Sequence, residues 1–290
     1  GWIFMKKLFF LCCLCVSAAL FADDFQPVMS FNGSSTLAPV IASISTDYIE
    51  KYETWNKVNP AFPDKNIIIF VSSGGSGAGV KSVLDGTSNF GMLAREVKDT
   101  EKAKIKNFKE YKLGIDALTV SVNPKNPILK IKESLSTEEL QKIFSGAVTT
   151  WKQLDSRLPN KEIVVVTRDL GGGAHEVFQK KIMGSLQVKK DAIQAPSMGA
   201  LVQKVISNEY AIGYASFGIV NQNAGKLIPM KVDNVAATKA NIVSGAYKIS
   251  RPLIVVQSGE PNAAQKAFLE VLQGSEGSEK IEKMGFVPVK

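Results

Sequence analysis

Three short stretches of the chain place glycines beside hydroxyl or cationic side chains just ahead of a helical pattern. The first is Asn32-Gly33-Ser34-Ser35-Thr36-Leu37-Ala38-Pro39, where Ser35 or Thr36 can cap the helix and Pro39 fits only its first turn. The second, Ser72-Ser73-Gly74-Gly75-Ser76-Gly77-Ala78-Gly79, follows a β-branched run at 67–71. The third, Arg168-Asp169-Leu170-Gly171-Gly172-Gly173-Ala174-His175, follows another at 163–167. A helix start offers unpaired N–H groups and about half a positive charge, and glycine lets the backbone approach an anion closely. One such turn can be glycine-rich for geometry alone, but three together form a multi-donor cage. Arg168, at a strand end facing a helix start, adds a cation able to grip an oxyanion through two parallel bonds; a purely structural arginine is the alternative.

Other chemistries fit the residues poorly. Gly74 and Gly79 have the spacing of a phosphate loop, which requires lysine at position 80 and Ser or Thr at 81; the chain has Val80 and Lys81. That displacement turns the lysine by about 100° around the helix. His175 is the single histidine, so no histidine metal cluster can form, and Cys12, Cys13 and Cys15 all fall in the N-terminal apolar segment. Neither metal nor cofactor is expected. His175, in a glycine turn, reads as a neutral N–H donor or as a solvated surface residue. The 35 Lys and Arg against 27 Asp and Glu give a formal +8 with no block of like charge, which argues against nucleic acid and suits a small anion.

The elements that must position these turns follow from periodicity. The 290 residues, 45% apolar and 21% charged, describe a globular chain. Strands are predicted at 67–71, 115–122, 163–167, 211–214 and 253–256, and helices at 36–53, 79–84, 137–144, 174–183, 198–207 and 262–272. Strand followed by helix, repeated, predicts an α/β fold with largely parallel sheets. The length favours two lobes, with Asn123-Pro124-Lys125-Asn126-Pro127 as a seam. Met5-Lys6-Lys7, the apolar run 8–21 and Ala22 read as a secretory signal peptide, too short for the roughly 20 residues of a spanning helix. Residues 1–22 are therefore expected to be removed, leaving a cysteine-free exported chain.

The ordered motifs resemble one family, the periplasmic phosphate-binding proteins of the phosphate-specific ABC transporter, within the two-lobed type II solute-binding fold. The resemblance runs through Gly33-Ser34-Ser35-Thr36, Gly75-Ser76-Gly77-Ala78-Gly79-Val80-Lys81, Gly91-Met92-Leu93-Ala94-Arg95-Glu96-Val97 and Leu135-Ser136-Thr137-Glu138-Glu139-Leu140. It continues through Ile143-Phe144-Ser145-Gly146, Ala211-Ile212-Gly213-Tyr214, Ser250-Arg251-Pro252-Leu253 and Gly285-Phe286-Val287-Pro288-Val289. It implies two α/β lobes, residues 23–116 with 249–290 and residues 117–248, joined by two crossing strands that act as a hinge, with ligand in the cleft between them. Function would be capture of inorganic phosphate and delivery to a membrane permease by a periplasmic monomer, without covalent chemistry. Another tetrahedral oxyanion, or a secreted sensor or adhesin on the same scaffold, is the alternative.

The resemblance also implies the ligand set. Ser35, Thr36, the Leu37 amide and Ser76 would come from lobe one, and Arg168 with the amides of Gly172, Gly173 and Ala174 from lobe two. Typical members read Gly-Ser-Gly-Thr where this chain reads Gly171-Gly172-Gly173-Ala174, and a polar residue stands where it has Ala94. Arg95 and His175 are the candidates to replace the missing donors. Asp116, opening the apolar strand at the crossing point, is the candidate carboxylate that accepts the proton of hydrogen phosphate and repels sulfate; a capped strand end or a salt bridge to a nearby lysine is its alternative role.

Overall fold

The computed structural model describes residues 24–289; the expected signal peptide and its cysteines lie outside the described residues. In chain order the main elements are β1 (Val28–Gly33), α1 (Ala38–Tyr52), β2 (Ile68–Ser73), α2 (Ser76–Asp85), β3 (Phe90–Leu93), α3 (Asp99–Lys104) and β4 (Phe108–Val122). Next come α4 (Thr137–Ser145), β5 (Val164–Arg168), α5 (Gly173–Phe178), β6 (Ile193–Ala195), α6 (Met198–Ile206), β7 (Ala211–Ser216) and α7 (Phe217–Gln222). The chain ends with β8 (Ser250–Ser258), α8 (Ala263–Gln273), α9 (Ser275–Lys283) and β9 (Val287–Pro288).

Amphipathic spacing explains the helices. In α1, Val40, Ile41, Ile44 and Tyr48 recur at three- and four-residue intervals and are all buried. Side chains close the orphan amides of other helix starts: Ser136 and Glu139 form a reciprocal capping box on α4, as do Asn262 and Gln265 on α8. The strand order is β2-β1-β3-β8-β4-β7-β5-β6, with β9 and the short strand Ile228–Pro229 attached to β4. β1, β2 and β3 run parallel, as do β5, β6 and β7. β4 and β8, however, run antiparallel to their neighbours, so the sheet is mixed rather than largely parallel.

β4 is much longer than its predicted eight residues because it serves two halves of the sheet. Nine of its first ten residues pair with β8, from Phe108↔Ser258 to Ala117↔Ser250 with Leu113 left out at a bulge, and its remainder pairs with β7 from Leu118↔Ser216 onward. The chain crosses back beside it, where the Leu118 amide donates to the Ile249 carbonyl at 2.8 Å. The buried side chains divide at the same place. One core runs from Ala117 to Ile249, with Val287 added, and is centred on Phe144, Phe178 and Tyr214. Another runs from Met29 to Leu113 and from Leu253 to Phe286, around Phe31, Phe90 and Phe268. The fold is thus a two-lobed α/β architecture.

Candidate functional site

The three glycine turns lie at the carboxyl ends of parallel strands, where open α/β sheets present ligand sites. β1 runs into 34–37 and α1, β2 into Gly74-Gly75 and α2, and β5 into 169–172 and α5. Gly33, at φ +144°, leaves no room for a side chain: a Cβ there would lie 2.1 Å from the Met92 carbonyl oxygen. The helix starts of α2 and α5 face one another. A Cβ on Gly173 would fall 2.4 Å from Ser76 Oγ, so only glycine permits this approach. Ser76 Oγ accepts the Ala94 amide at 3.1 Å, which leaves its own proton to donate. The amides of Ser76, Gly77 and Ala78 on α2, and of Gly173, Ala174 and His175 on α5, have no acceptor among the described residues, as the first turn of a helix dictates.

Two buried guanidiniums complete the site. Arg168 is 3% exposed, held by Nε and Nη2 donating to Asp169 Oδ1 at 3.1 and 3.0 Å. Arg251, 2% exposed, donates from Nε and Nη2 to Asp116 Oδ2 at 2.9 and 2.8 Å and from Nη2 to Thr36 Oγ1 at 3.0 Å. Thr36 accepts that bond, so its hydroxyl proton is likewise available. Burial pushes Arg251 below the ordinary arginine value, Asp116 pulls it back up, and the neighbouring Arg168 adds a further downward push. Such crowding of cations is relieved by an anion between them. Arg251 has no role assigned by its motif Ser250-Arg251-Pro252-Leu253; what would have revealed one is its register opposite Asp116 on the paired crossing strands.

Several expected ligand groups are engaged elsewhere. Neither Ser35 nor Thr36 caps α1: Ser34 Oγ accepts the amides of Thr36 and Leu37, both at 3.2 Å, so the Leu37 amide is not a free donor. Ser35 Oγ accepts the Met198 amide at 3.2 Å, a bond from one core to the other. The Gly172 amide closes its own turn onto the Asp169 carbonyl at 2.9 Å, and a Gly172 Cβ would press on the Asp169 carboxylate at 3.0 Å. Arg95 is held by both Glu101 oxygens at 2.7 and 2.9 Å and lies against Glu176, which takes it out of the donor set.

Asp116 is the clearest correction. Its carboxylate is fully buried, with Oδ2 taking two bonds from Arg251 and Oδ1 accepting from Ser216 Oγ at 3.0 Å and the Gly218 amide at 3.2 Å. With four donors satisfied it has no capacity left for a ligand proton; its role is a salt bridge, made to the distant Arg251 and not to a nearby lysine. His175 is buried rather than solvated, its Nδ1 3.1 Å from the Tyr214 hydroxyl. Burial lowers its pKa, only partly offset by Asp169 and Glu176, so the imidazole is neutral near pH 7. The Tyr214 hydroxyl accepts the Arg168 amide at 2.8 Å and lies 2.6 Å from Thr167 Oγ1, fixing the end of β5. Burial pushes that phenol up to about 12.

Residues 27–276 match the PBP superfamily domain. The chain is 30% identical over 276 residues to the phosphate-binding protein PstS of Staphylococcus haemolyticus, covering 91% of this chain and 82% of that protein. A substrate-binding protein of Clostridium perfringens, solved with bound phosphate, superposes with a TM-score of 0.77 at 28% identity, over 91% of this chain and 100% of that one. An ABC-type phosphate transport receptor from Vibrio cholerae shares the fold, with a TM-score of 0.69 at 23% identity over 89% and 99% of the two chains. Fold, paired helix starts and this similarity agree: the chain belongs to the PBP superfamily, in the family of the phosphate-binding proteins PstS.

Proposed function

We propose that this protein captures inorganic phosphate between its two lobes, residues 23–116 with 249–290 and residues 117–248, and delivers it to the membrane permease of an ABC transporter. The observation that carries the reading is the meeting of two uncapped helix starts, α2 and α5, beside two buried guanidiniums with a single fully buried carboxylate. A small, multiply charged oxyanion satisfies amides and cations together, and no side chain in the set is placed for covalent chemistry. Thr36, Ser76, Arg168 and the amides of Gly173 and Ala174 are the donors, joined by the His175 amide. Arg251 acts by holding Thr36 and by its charge. Ser35 contributes by closing the cleft onto Met198. The relatives named above, one of them holding phosphate, support the same ligand.

The protein works as an exported monomer in the periplasm. No described helix is long and apolar enough to cross a membrane. Native mass spectrometry of protein purified without added anion, followed by calorimetric titration with phosphate and sulfate, tests the reading. A bound mass matching phosphate, and phosphate binding at least tenfold tighter than sulfate, are expected; preferential binding of sulfate or molybdate would overturn it.

A further inference from the structure

Arg95 and Glu176 belong to different cores. Arg95 follows β3 and the core residue Ala94, whereas Glu176 lies on α5, two residues beyond Ala174 of the other core. Arg95 Nε and Glu176 Oε2 nevertheless stand 2.6 Å apart. Neither atom has an aligned hydrogen-bond partner among the described residues, so the contact is one of charge. The guanidinium is 4% exposed and already fixed on its own side, by both oxygens of Glu101 and by Nη1 donating to the Glu96 carbonyl at 3.0 Å. Its Nε edge is what remains for Glu176. Lys98 adds a partly exposed bond to Glu176 Oε1 at 3.1 Å.

The pair stands at a particular place. Arg95 and Glu176 line a cavity of about 980 Å³ that also touches His175 on α5 and Arg251 on the crossing strand. Both of those belong to the anion site of the capture reading, so the space that the ion pair lines reaches residues of that site.

We propose that Arg95 and Glu176 form a latch that holds the cleft shut over the ligand and sets how fast the ligand leaves. The inference rests on the capture reading above, and neither residue touches the ligand, so both are positioning residues. Separation of the two cores leaves Arg95 bonded to Glu101 and exchanges Glu176's buried partner for water. The pair is therefore made late in closing and broken early in opening, which places its effect on dissociation rather than association. Glu101, whose carboxyl Arg95 and the Lys98 amide hold below the ordinary glutamate range against its desolvation, keeps the guanidinium aimed.

Glu176→Gln keeps the shape of the side chain and removes its charge. Chase of radiolabelled inorganic phosphate from the loaded protein should show release at least fivefold faster. The association rate should stay within twofold and the ligand-free thermal midpoint should be unchanged. Lys98→Ala, on the exposed arm, should change release by less than twofold. Unchanged release from a variant that still binds phosphate would overturn the latch. A wild-type protein that binds no phosphate would instead defeat the capture reading, and a ligand-independent measurement then decides the latch. Spin labels at Lys57→Cys and Lys152→Cys report the separation of the two halves, in a chain whose cysteines all lie at 12–15. Glu176→Gln should shift ligand-free protein toward longer distances, and identical distributions would overturn the proposal.

Discussion

Arg168 and Arg251 are two buried cations that raise each other's cost, and Asp169 and Asp116 offset them unequally. Asp169 is 41% exposed at its side chain and so screens Arg168 weakly, while Asp116 is committed in full to Arg251 and its neighbours. Arg168→Ala should therefore weaken phosphate binding by at least tenfold, about 1.4 kcal/mol, while the ligand-free thermal midpoint stays level or rises because a like-charge contact is gone; calorimetry and a melting curve check both. Asp116→Asn should act the other way. It strands a buried guanidinium, at a cost of about 3–5 kcal/mol in stability, yet leaves the phosphate-over-sulfate ratio, read by competitive titration, intact. The placing of Arg168 was legible in the sequence, because a strand followed by a glycine turn puts the residue between them at the start of the next helix. The role of Asp116 was not, since its partner Arg251 lies 135 positions away and only strand register brings them together.

Helices α2 and α5 meet start to start, and their approach depends on the missing side chain of Gly173. Gly173→Ala should place its methyl against Ser76 and prop the two halves apart, lowering phosphate affinity at least tenfold in titration while circular dichroism and ligand-free melting remain unchanged. β2, β5, β7, α1, α4, α6 and α8 were visible in the sequence to within two residues at each end, because amphipathic spacing and β-branched runs act locally, whereas β1 and the short elements β6, β9, α3 and α7 were not predicted. β3 was missed: Phe90–Leu93 is buried on both faces and shows no alternation. β8 was predicted to begin after Pro252, but the strand passes through that proline, which lies beyond the end of β3 and next to a bulge at Leu253/Ile254. The predicted helix at 174–183 is in fact α5 followed by a π-turn at Gln179–Met183, a change of hydrogen-bond pattern that side-chain spacing does not reveal. α9 escaped notice because only Gly277 and Ile281 of its nine residues are buried.

Over the whole molecule, the single histidine gives stability a readable dependence on pH. Burial lowers the pKa of His175 in the folded state, so as pH falls below about 6.5 the unfolded chain takes up a proton that the folded one does not. Stability is lost in that window and is unaffected by this group above it. His175→Gln should flatten the fall between pH 7 and 5.5 in denaturant titrations. The mixed sheet has a consequence for how the chain is made. β8 lies between β3 and β4 in the sheet but is synthesised after every strand of the second core. While the chain emerges, residues 117–248 can assemble as one continuous unit, but β3 and β4 flank a gap one strand wide until residues 250–258 arrive. Until then both carry open edges, the apolar row Phe90–Leu93 among them, and such edges accept whatever strand is offered. A nascent chain stalled before Ser250 would offer another copy's β8 a ready place, so translation to the end is itself a condition for the first half of the molecule to remain its own.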